Sequence, residues 1–366
     1  MISFNSPLAQ FNHFADEIQT AIRRVLLSGQ YILGREVEAL EIEFASYIGS
    51  AFAIGVANGT DAIALALRAL DVGPGDEVIT VSMTAVATVA AIEMVGAKPV
   101  FVDVDPVHYT MDPKSLSDAI SAQTRAVIPV HLYGQPAEMP EILRVCGTMG
   151  IPIVEDCSQA HGATIDNKRV GSLGTIGAFS CYPTKNLGAL GDAGLLTTND
   201  TAIASRLKAL RQYGWQKRNW SQEPGVNSRL DELQAAILRT KLVHLDQLNA
   251  RRAQIANTYS EGLLTLPLNS PQVRPNSTHA WHLYTISVDS RDIFQEKLKA
   301  LGVTTGIYYP FPIHLQPAYS GRRSVSNSLR VTEELSKRVL SLPLFPEMTD
   351  GDVSTVLECV HRCFQR

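Results

Sequence analysis

Short runs of β-branched and apolar residues alternate with stretches of helical periodicity through the first two-thirds of the chain, and this alternation does most to narrow the fold. The runs fall at residues 53–57, 77–81, 99–102, 126–130, 151–155, 177–181 and 194–198. Helical patterns between them cover 61–70, 86–95, 139–149 and 201–212. Strands that are apolar on both faces and separated by helices predict an α/β fold with a mostly parallel central sheet sandwiched by helices. Two helices are predicted ahead of this block, at 16–27 and 36–47, with Gly29 and Gly34 marking the link. After Arg229 a long helical pattern runs to about residue 263 and breaks near Leu245. A strand at 279–288 and helices at 292–301 and 332–340 predict a second, smaller α/β unit. The expected division is a large domain over 1–249, including the N-terminal helices, and a small C-terminal domain over 250–366. Residues 309–319, rich in Pro and aromatics, are expected to form an ordered loop, because an exposed apolar patch of that size is costly.

With 366 residues, 45% of them hydrophobic and 19% charged, the chain can bury a large core. Its 32 Lys and Arg against 36 Asp and Glu leave a net charge of −4, which gives no global electrostatic case for nucleic acid or an anionic membrane. The uncharged stretches 44–60 and 78–92 are too short to span a bilayer, and the N-terminal residues lack the pattern of a secretory leader. Five Cys, an odd number with no CxxC pair, point to reduced thiols and a cytoplasmic protein. Cys359, His361 and Cys363 share a helical stretch, but a metal would need two more ligands, and none is expected.

Four segments could carry chemistry. In Val56-Ala57-Asn58-Gly59-Thr60-Asp61 a strand ends, a glycine turns the chain, and a helix begins with free N–H groups. Such a turn can hold a phosphate, and it is equally an ordinary capped helix start. In the segment 151–162 a buried strand runs into Glu155 and Asp156 at its carboxyl end, where ligands of parallel sheets bind. A carboxylate there needs a cationic partner or a helix to cap. In 177–194, Lys185 stands alone in a stretch otherwise free of charge from Val170 to Gly191. Desolvation would lower its pKa and make it a nucleophilic amine, whereas an exposed loop would leave it ordinary. In 225–236, Ser228 is well placed to cap a helix with acids in its first turn. Together these are what pyridoxal phosphate requires: an anion turn, a carboxylate for the pyridinium nitrogen and a lysine for the aldehyde.

The segments NGTDAIALAL, VEDCSQAHGA, FSCYPTKNLGALGDAG and GVNSRLDELQAAIL resemble the DegT/StrS family of nucleotide-sugar aminotransferases, which are fold type I pyridoxal phosphate enzymes. The likeness covers essentially the whole chain, from SGQYILGREVEALE to YYPFPIHLQPAY. It implies pyridoxal 5'-phosphate as cofactor, with pyridoxamine phosphate as its amine-carrying form. It implies that Lys185 forms the Schiff base and moves the proton, and that Asp156 pairs with the pyridinium nitrogen. Gln159 would lie against the ring, and Gly59, Thr60 and Ser180 would hold the phosphate. Asn227 would reach the phosphate in the neighbouring subunit, making a homodimer with shared active sites. His314 and Tyr309 would face the substrate, with Trp215, Lys217 and Arg218 as further contacts to the sugar nucleotide. The implied reaction passes an amino group from L-glutamate to a nucleotide-linked keto-sugar in ping-pong fashion, as in amino-sugar and polysaccharide biosynthesis. The pattern, including YGQP at 133–136, is most similar to enzymes acting at carbon 3 of a dTDP-keto-6-deoxyhexose, with carbon 4 as the alternative. A non-catalytic regulatory homologue is the rival from another class, and intact Lys185, Asp156 and Ser180 argue against it.

Two positions depart from the family pattern. Ala85 stands where an aromatic usually stacks on the pyridine ring, with Met83 expected as an apolar cover in its place. Tyr308 stands where many members have His before Tyr-Pro. Related sugar dehydratases carry His in place of the lysine, so Lys185 argues against that branch.

Overall fold

The computed structural model describes residues 1–319, 324–325 and 329–365. Helices α1 (Ala15–Ser28) and α2 (Arg35–Ile48) precede strand β1 (Phe52–Val56). Then follow α3 (Gly59–Ala69), β2 (Glu77–Val81), α4 (Val86–Met94), β3 (Lys98–Val102), β4 (Thr124–Ile128), α5 (Met139–Gly147), β5 (Val154–Asp156), β6 (Ile176–Ser180), β7 (Gly194–Thr198) and α6 (Thr201–Leu210). The strands order as β1-β7-β6-β5 and β3-β2-β4, and parallel bridges from Val127 to Ile153 and from Val130 to Asp156 join β4 to β5. Pairing is parallel except at β7, which runs antiparallel to both β1 and β6. The carboxyl ends of β1, β2, β5 and β6 therefore share one edge of the sheet.

Alternating side chains explain why both faces are covered. Val78, Ala126 and Ile128 pack with Ile63 and Leu67 of α3 on one side, and Ile79, Val81 and Val127 pack with Met139 and Ile142 of α5 on the other. A strand buried on both faces must read as a continuous apolar run, which is the pattern of its sequence.

The C-terminal part is built on α7 (Glu232–Leu242), α8 (Leu245–Gly262), β8 (Tyr284–Ser287), α9 (Arg291–Ala300), α10 (Arg330–Ser336), β9 (Val339–Leu342) and α11 (Asp350–Phe364). The expected helix break falls between α7 and α8. Helix α8 runs without interruption through residues 249 and 250; its Leu245 packs with the large core, and its Ile255 and Tyr259 pack with Ile286, Leu340 and Val356. Two expectations change. The helix predicted at 332–340 ends at Ser336, because Val339–Leu342 pairs antiparallel with Tyr284–Ser287. The strand predicted at 279–288 is strand only from Tyr284. Before that its backbone turns aside, with Ala280 N–H on Gly134 O and Leu283 N–H on Tyr133 O. The 309–319 segment is ordered by two 3₁₀ turns and by buried Ile313 and Tyr319, while Phe311 and Leu315 stay exposed. Among the described residues no helix is long and apolar enough to cross a membrane.

Candidate active site

Where β1 ends, Asn58 turns the chain into α3 by accepting the Asp61 N–H on its side-chain oxygen at 2.8 Å. The N–H groups of Gly59 and Thr60 find no partner among the described residues, and both residues line a cleft of about 680 Å³. The helix dipole adds partial positive charge there. A Cβ on Gly59 would come within 2.5 Å of Ser180 Cβ, so only glycine lets the turn close against the end of β6. The result is a tight pocket with free N–H donors and a serine hydroxyl, and it fits a phosphate group.

Asp156, at the end of β5, is 4% exposed and lines the same cleft. Its two oxygens accept from Thr88 Oγ1 at 2.8 Å and from the Ser158 N–H at 3.1 Å, and Thr84 Oγ1 lies 3.0 Å from Thr88 Oγ1. Thr88 comes from the first turn of α4, so two strand ends and one helix start fix this carboxylate. Gln159 is held at both ends: its Oε1 accepts the Tyr133 N–H at 2.8 Å, and its Nε2 donates to Tyr309 Oη at 3.0 Å. Tyr309 lines the cleft, and burial raises its phenol pKa.

Lys185 follows β6 and opens onto the cleft. Desolvation pulls its ammonium pKa down to about 8, against the opposing pull of Asp156 and Cys181. Behind it His161 is fully buried, and neither ring nitrogen has a partner among the described residues; burial, then the Lys185 charge, lower its pKa to about 3. The uncharged stretch around Lys185 thus forms a desolvated wall holding a single amine.

These residues come together from the turn 58–60, from Asp156 and Gln159, and from Ser180, Lys185 and Tyr309. The others do not join them within this chain. Asn227 is exposed and bridges Gln212. Lys217 and Arg218 are exposed, and Trp215 is half-buried beside Tyr213, in the hairpin of Trp215–Lys217 and Trp220–Ser221. His314 is 4% exposed and lies outside the cleft lining. Ser82 Oγ accepts the His314 N–H at 3.0 Å and lies 2.7 Å from its Nδ1, while Nε2 is 3.2 Å from Glu333 Oε1. His314 thus ties the loop to Ser82 at the end of β2 through its N–H and Nδ1 and to Glu333 of α10 through Nε2, and it lies outside the cleft lining. Met83 is likewise no cover for the ring: it is buried in the core, and Ala85 and Ala87 line the cleft.

Phe4, Asn5, Thr84 and His282, which line the cleft, and Thr88, which donates to Asp156 there, escape the sequence reading. The N-terminal segment reaches the cleft because Ile2 is zipped to the C-terminal part, with Ile2 N–H on Gly302 O at 2.8 Å and Thr304 N–H on Ile2 O at 3.0 Å. Phe4 then stacks on Tyr308 with ring centroids 5.7 Å apart. No local pattern marks residues 4 and 5. Thr84 and Thr88 do sit four apart where a strand gives way to a helix.

Among the described residues one cluster has metal-ligand chemistry: His131, Glu155 and Cys157. The Glu155 carboxylate accepts from Gly171, Leu173 and Gly174 N–H groups and lies 3.1 Å from His131 Nε2. It is saturated as a loop anchor. Cys359 and Cys363 pack in the apolar core, and His361 Nε2 is 2.9 Å from Gly262 O.

Residues 12–361 match the model of the DegT/DnrJ/EryC1/StrS aminotransferase family. The chain belongs to that family. As a member of it, the chain carries the fold type I architecture of pyridoxal phosphate aminotransferases. It is 47% identical, over 97% of its own length and 98% of the relative's, to the dTDP-3-amino-3,6-dideoxy-alpha-D-galactopyranose transaminase of Aneurinibacillus thermoaerophilus. It superposes with a TM-score of 0.97 on DesV of S. venezuelae in complex with a ketimine intermediate, at 42% identity and over 100% and 99% of the two chains. NtdA from Bacillus subtilis with bound cofactor PMP gives a TM-score of 0.90 at 30% identity, over 97% and 83% of the chains. This DegT-family aminotransferase thus shares its fold with a protein solved with PMP bound.

Proposed function

We infer that this aminotransferase moves an amino group from L-glutamate to a nucleotide-linked keto-sugar, with a dTDP-3-keto-6-deoxyhexose as the preferred acceptor. The observation that carries the reading is the convergence of an anion turn, a buried carboxylate and a desolvated lysine on one cleft. Amination at carbon 3 follows the name of the galactopyranose transaminase that covers nearly the whole chain.

Gly59, Thr60 and Ser180 would hold the phosphate of pyridoxal 5'-phosphate, Asp156 its ring nitrogen, Gln159 its ring face and Lys185 its aldehyde. When bound, the cofactor supplies an electron sink and carries the amino group between the two half-reactions. The protein's own part begins with Asp156, which keeps a proton on the ring nitrogen. Thr88, by donating to the same carboxylate, fixes its orientation. Lys185 Nζ would take the proton from the α-carbon of the donor as general base and, as general acid, deliver it to the cofactor carbon that comes to carry the amino group. A lysine pulled down to about 8 is neutral often enough near pH 7 to begin this.

The exposed Asn227 and the hairpin with Trp215, Lys217 and Arg218 are assigned to the neighbouring subunit's cleft, in a cytoplasmic homodimer. The division into a cofactor-holding part, 1–249, and a smaller part, 250–366, belongs to the same proposal.

The test is a product assay. Purified protein receives pyridoxal phosphate, L-glutamate and a panel of dTDP- and UDP-linked 3-keto and 4-keto sugars, with NMR locating the new amine. A carbon-3 amine on a dTDP sugar is expected. Turnover of a UDP sugar alone, or an amine at carbon 4, overturns the substrate assignment, and no amine on any sugar overturns the sugar reading.

A further inference from the structure

Thr84, Thr88 and Asp156 form a hydrogen-bond chain at the floor of the cleft, and the carboxylate at its end fixes the direction. An ionised carboxylate only accepts, so the 2.8 Å bond at Asp156 Oδ2 takes the hydrogen of Thr88 Oγ1. A hydroxyl has one hydrogen, and that of Thr88 is now used. In the 3.0 Å contact between Thr84 Oγ1 and Thr88 Oγ1 the hydrogen must therefore come from Thr84. Thr84 follows β2 and lines the cleft, Thr88 lies in the first turn of α4, and Asp156 ends β5. Thr88, the middle member, is fully buried, so no water competes for its hydroxyl. A helical threonine has a second place for that hydroxyl, because Oγ1 can also donate to a carbonyl three or four residues back. For Thr88 those carbonyls belong to Ala85 and Thr84, and Ala85 O already accepts the Thr88 N–H at 3.2 Å. The charge of Asp156 favours one rotamer and the local backbone favours the other.

We propose that Thr84 is a positioning residue for Asp156: by donating to Thr88 it holds the Thr88 hydroxyl in the rotamer that gives its hydrogen to the carboxylate, so that the carboxylate stands fixed before the cofactor arrives. The inference rests on the reading of Asp156 as the partner of the ring nitrogen. With Thr84 in place, leaving the observed rotamer gives up two bonds at once. A hydroxyl that accepts a hydrogen bond is also a better donor, by roughly 10–30% per bond. The other carboxylate oxygen is held from its own chain, by the Ser158 N–H at 3.1 Å, so Thr84 and Thr88 supply the hold that comes from a second strand end. Lys185, Tyr309 and Cys157 also face Asp156, and none of them belongs to the chain. The direction settles what Thr84 shows to the cleft as well: its hydrogen is used, and its oxygen offers only lone pairs.

The test compares Thr84→Val, which keeps the shape and removes the donor, with Thr84→Ser, which keeps the donor. Crystals of the full cofactor-free chain should show Thr88 Oγ1 turned from Asp156 to a backbone carbonyl in Thr84→Val, and in its wild-type place in Thr84→Ser. Titration of cofactor-free protein with pyridoxal phosphate should give binding about fivefold weaker for Thr84→Val and within about twofold of wild type for Thr84→Ser. The double variant decides whether Thr84 acts through Thr88. In a Thr88→Val background, adding Thr84→Val should weaken binding by less than about twofold, because the link it removes is already broken. The same fivefold loss in that background would mean direct contact with the ligand or general packing, and it overturns the proposal. So does an unmoved Thr88 or an unchanged affinity in Thr84→Val, or an equal loss in the Ser variant. Thr84→Ala, which only removes atoms, carries the same expectations if Thr84→Val does not fold. The reading beneath is tested separately by the ring-nitrogen NMR signal of nitrogen-15-labelled pyridoxal phosphate bound to Asp156→Asn. A nitrogen still protonated there removes the role of Asp156, whereas the Thr88 rotamer is read without cofactor.

Discussion

The floor of the cleft and its rim are built on opposite plans. On the floor the carboxylate, the amide and the glycine turn are tied to rigid structure. Asp156 is held by Thr88 and Ser158, Gln159 by Tyr133 and Tyr309, and Gly59 is pressed against Ser180. At the rim, Phe4 and Tyr308 meet by stacking alone across segments that begin and end in different parts of the molecule, and Asn5 makes no hydrogen bond among the described residues. A floor of this kind suits a group that never leaves, because its geometry is fixed before the ligand arrives. A rim of this kind suits a group that comes and goes, because its aromatic surface and free amide are available to a substrate. The difference assigns invariant chemistry to the sheet edge and substrate choice to the loops above it.

The strongest way to break the comparison is at the floor. Lys185→Ala should abolish the covalent cofactor absorbance and lower turnover by roughly 10⁴-fold. A variant that keeps the yellow band and its activity would remove the floor's central assignment. Thr88→Val is the next test. Losing a donor to a buried carboxylate typically costs about 1.5–3 kcal/mol, so cofactor affinity should fall by about 10- to 100-fold by fluorescence titration. A change below twofold would mean that Asp156 holds its place without Thr88.

At the rim the effect should be smaller and selective. In ping-pong kinetics, kcat/KM for each substrate reports on its own half-reaction. Phe4→Ala and Asn5→Ala should lower kcat/KM for the keto-sugar by about tenfold, the scale of one lost apolar or polar substrate contact. The value for L-glutamate, a smaller molecule, should fall less than threefold. Equal losses for both substrates would show that the N-terminal segment shapes the whole cleft and not the sugar's end of it.

The same contrast explains what could be read from the chain. Asp156, Lys185 and Gly59 sit at strand ends inside contiguous motifs, so local spacing and a lone charge in an apolar run were enough to single them out. Phe4 and Asn5 reach the cleft only because Ile2 pairs with Gly302 and Thr304, a contact 300 residues away that no local pattern encodes. The anchoring of His314 depends in the same way on Ser82, at the end of β2, and on Glu333 of α10, 232 and 19 residues away. The sheet was legible because strands buried on both faces must be apolar throughout. The stretch 332–340 was misread because helix and buried strand look alike over so few residues, and only pairing with Tyr284–Ser287 decides between them.

The subtlest test concerns the wall behind the lysine. His161 has a folded pKa of about 3 against the usual 6.5, so below pH 6.5 the unfolded chain takes up a proton that the folded chain refuses until about pH 3. Proton uptake by the unfolded state lowers stability as pH falls through that window. For one such site the loss between pH 6.5 and pH 5 is about 1.6 kcal/mol. His161→Phe removes the site, and since neither ring nitrogen has a partner, no hydrogen bond is lost with it. Urea unfolding of the cofactor-free protein at pH 6.5 and pH 5 should therefore show a smaller acid loss in the variant, by about that amount. His279, also lowered to about 3 by burial, keeps its own share of the acid slope in both proteins. An unchanged difference between the two pH values would mean that His161 finds water or a partner in solution, and that the desolvated wall credited with lowering the lysine's pKa is wetter than its packing indicates.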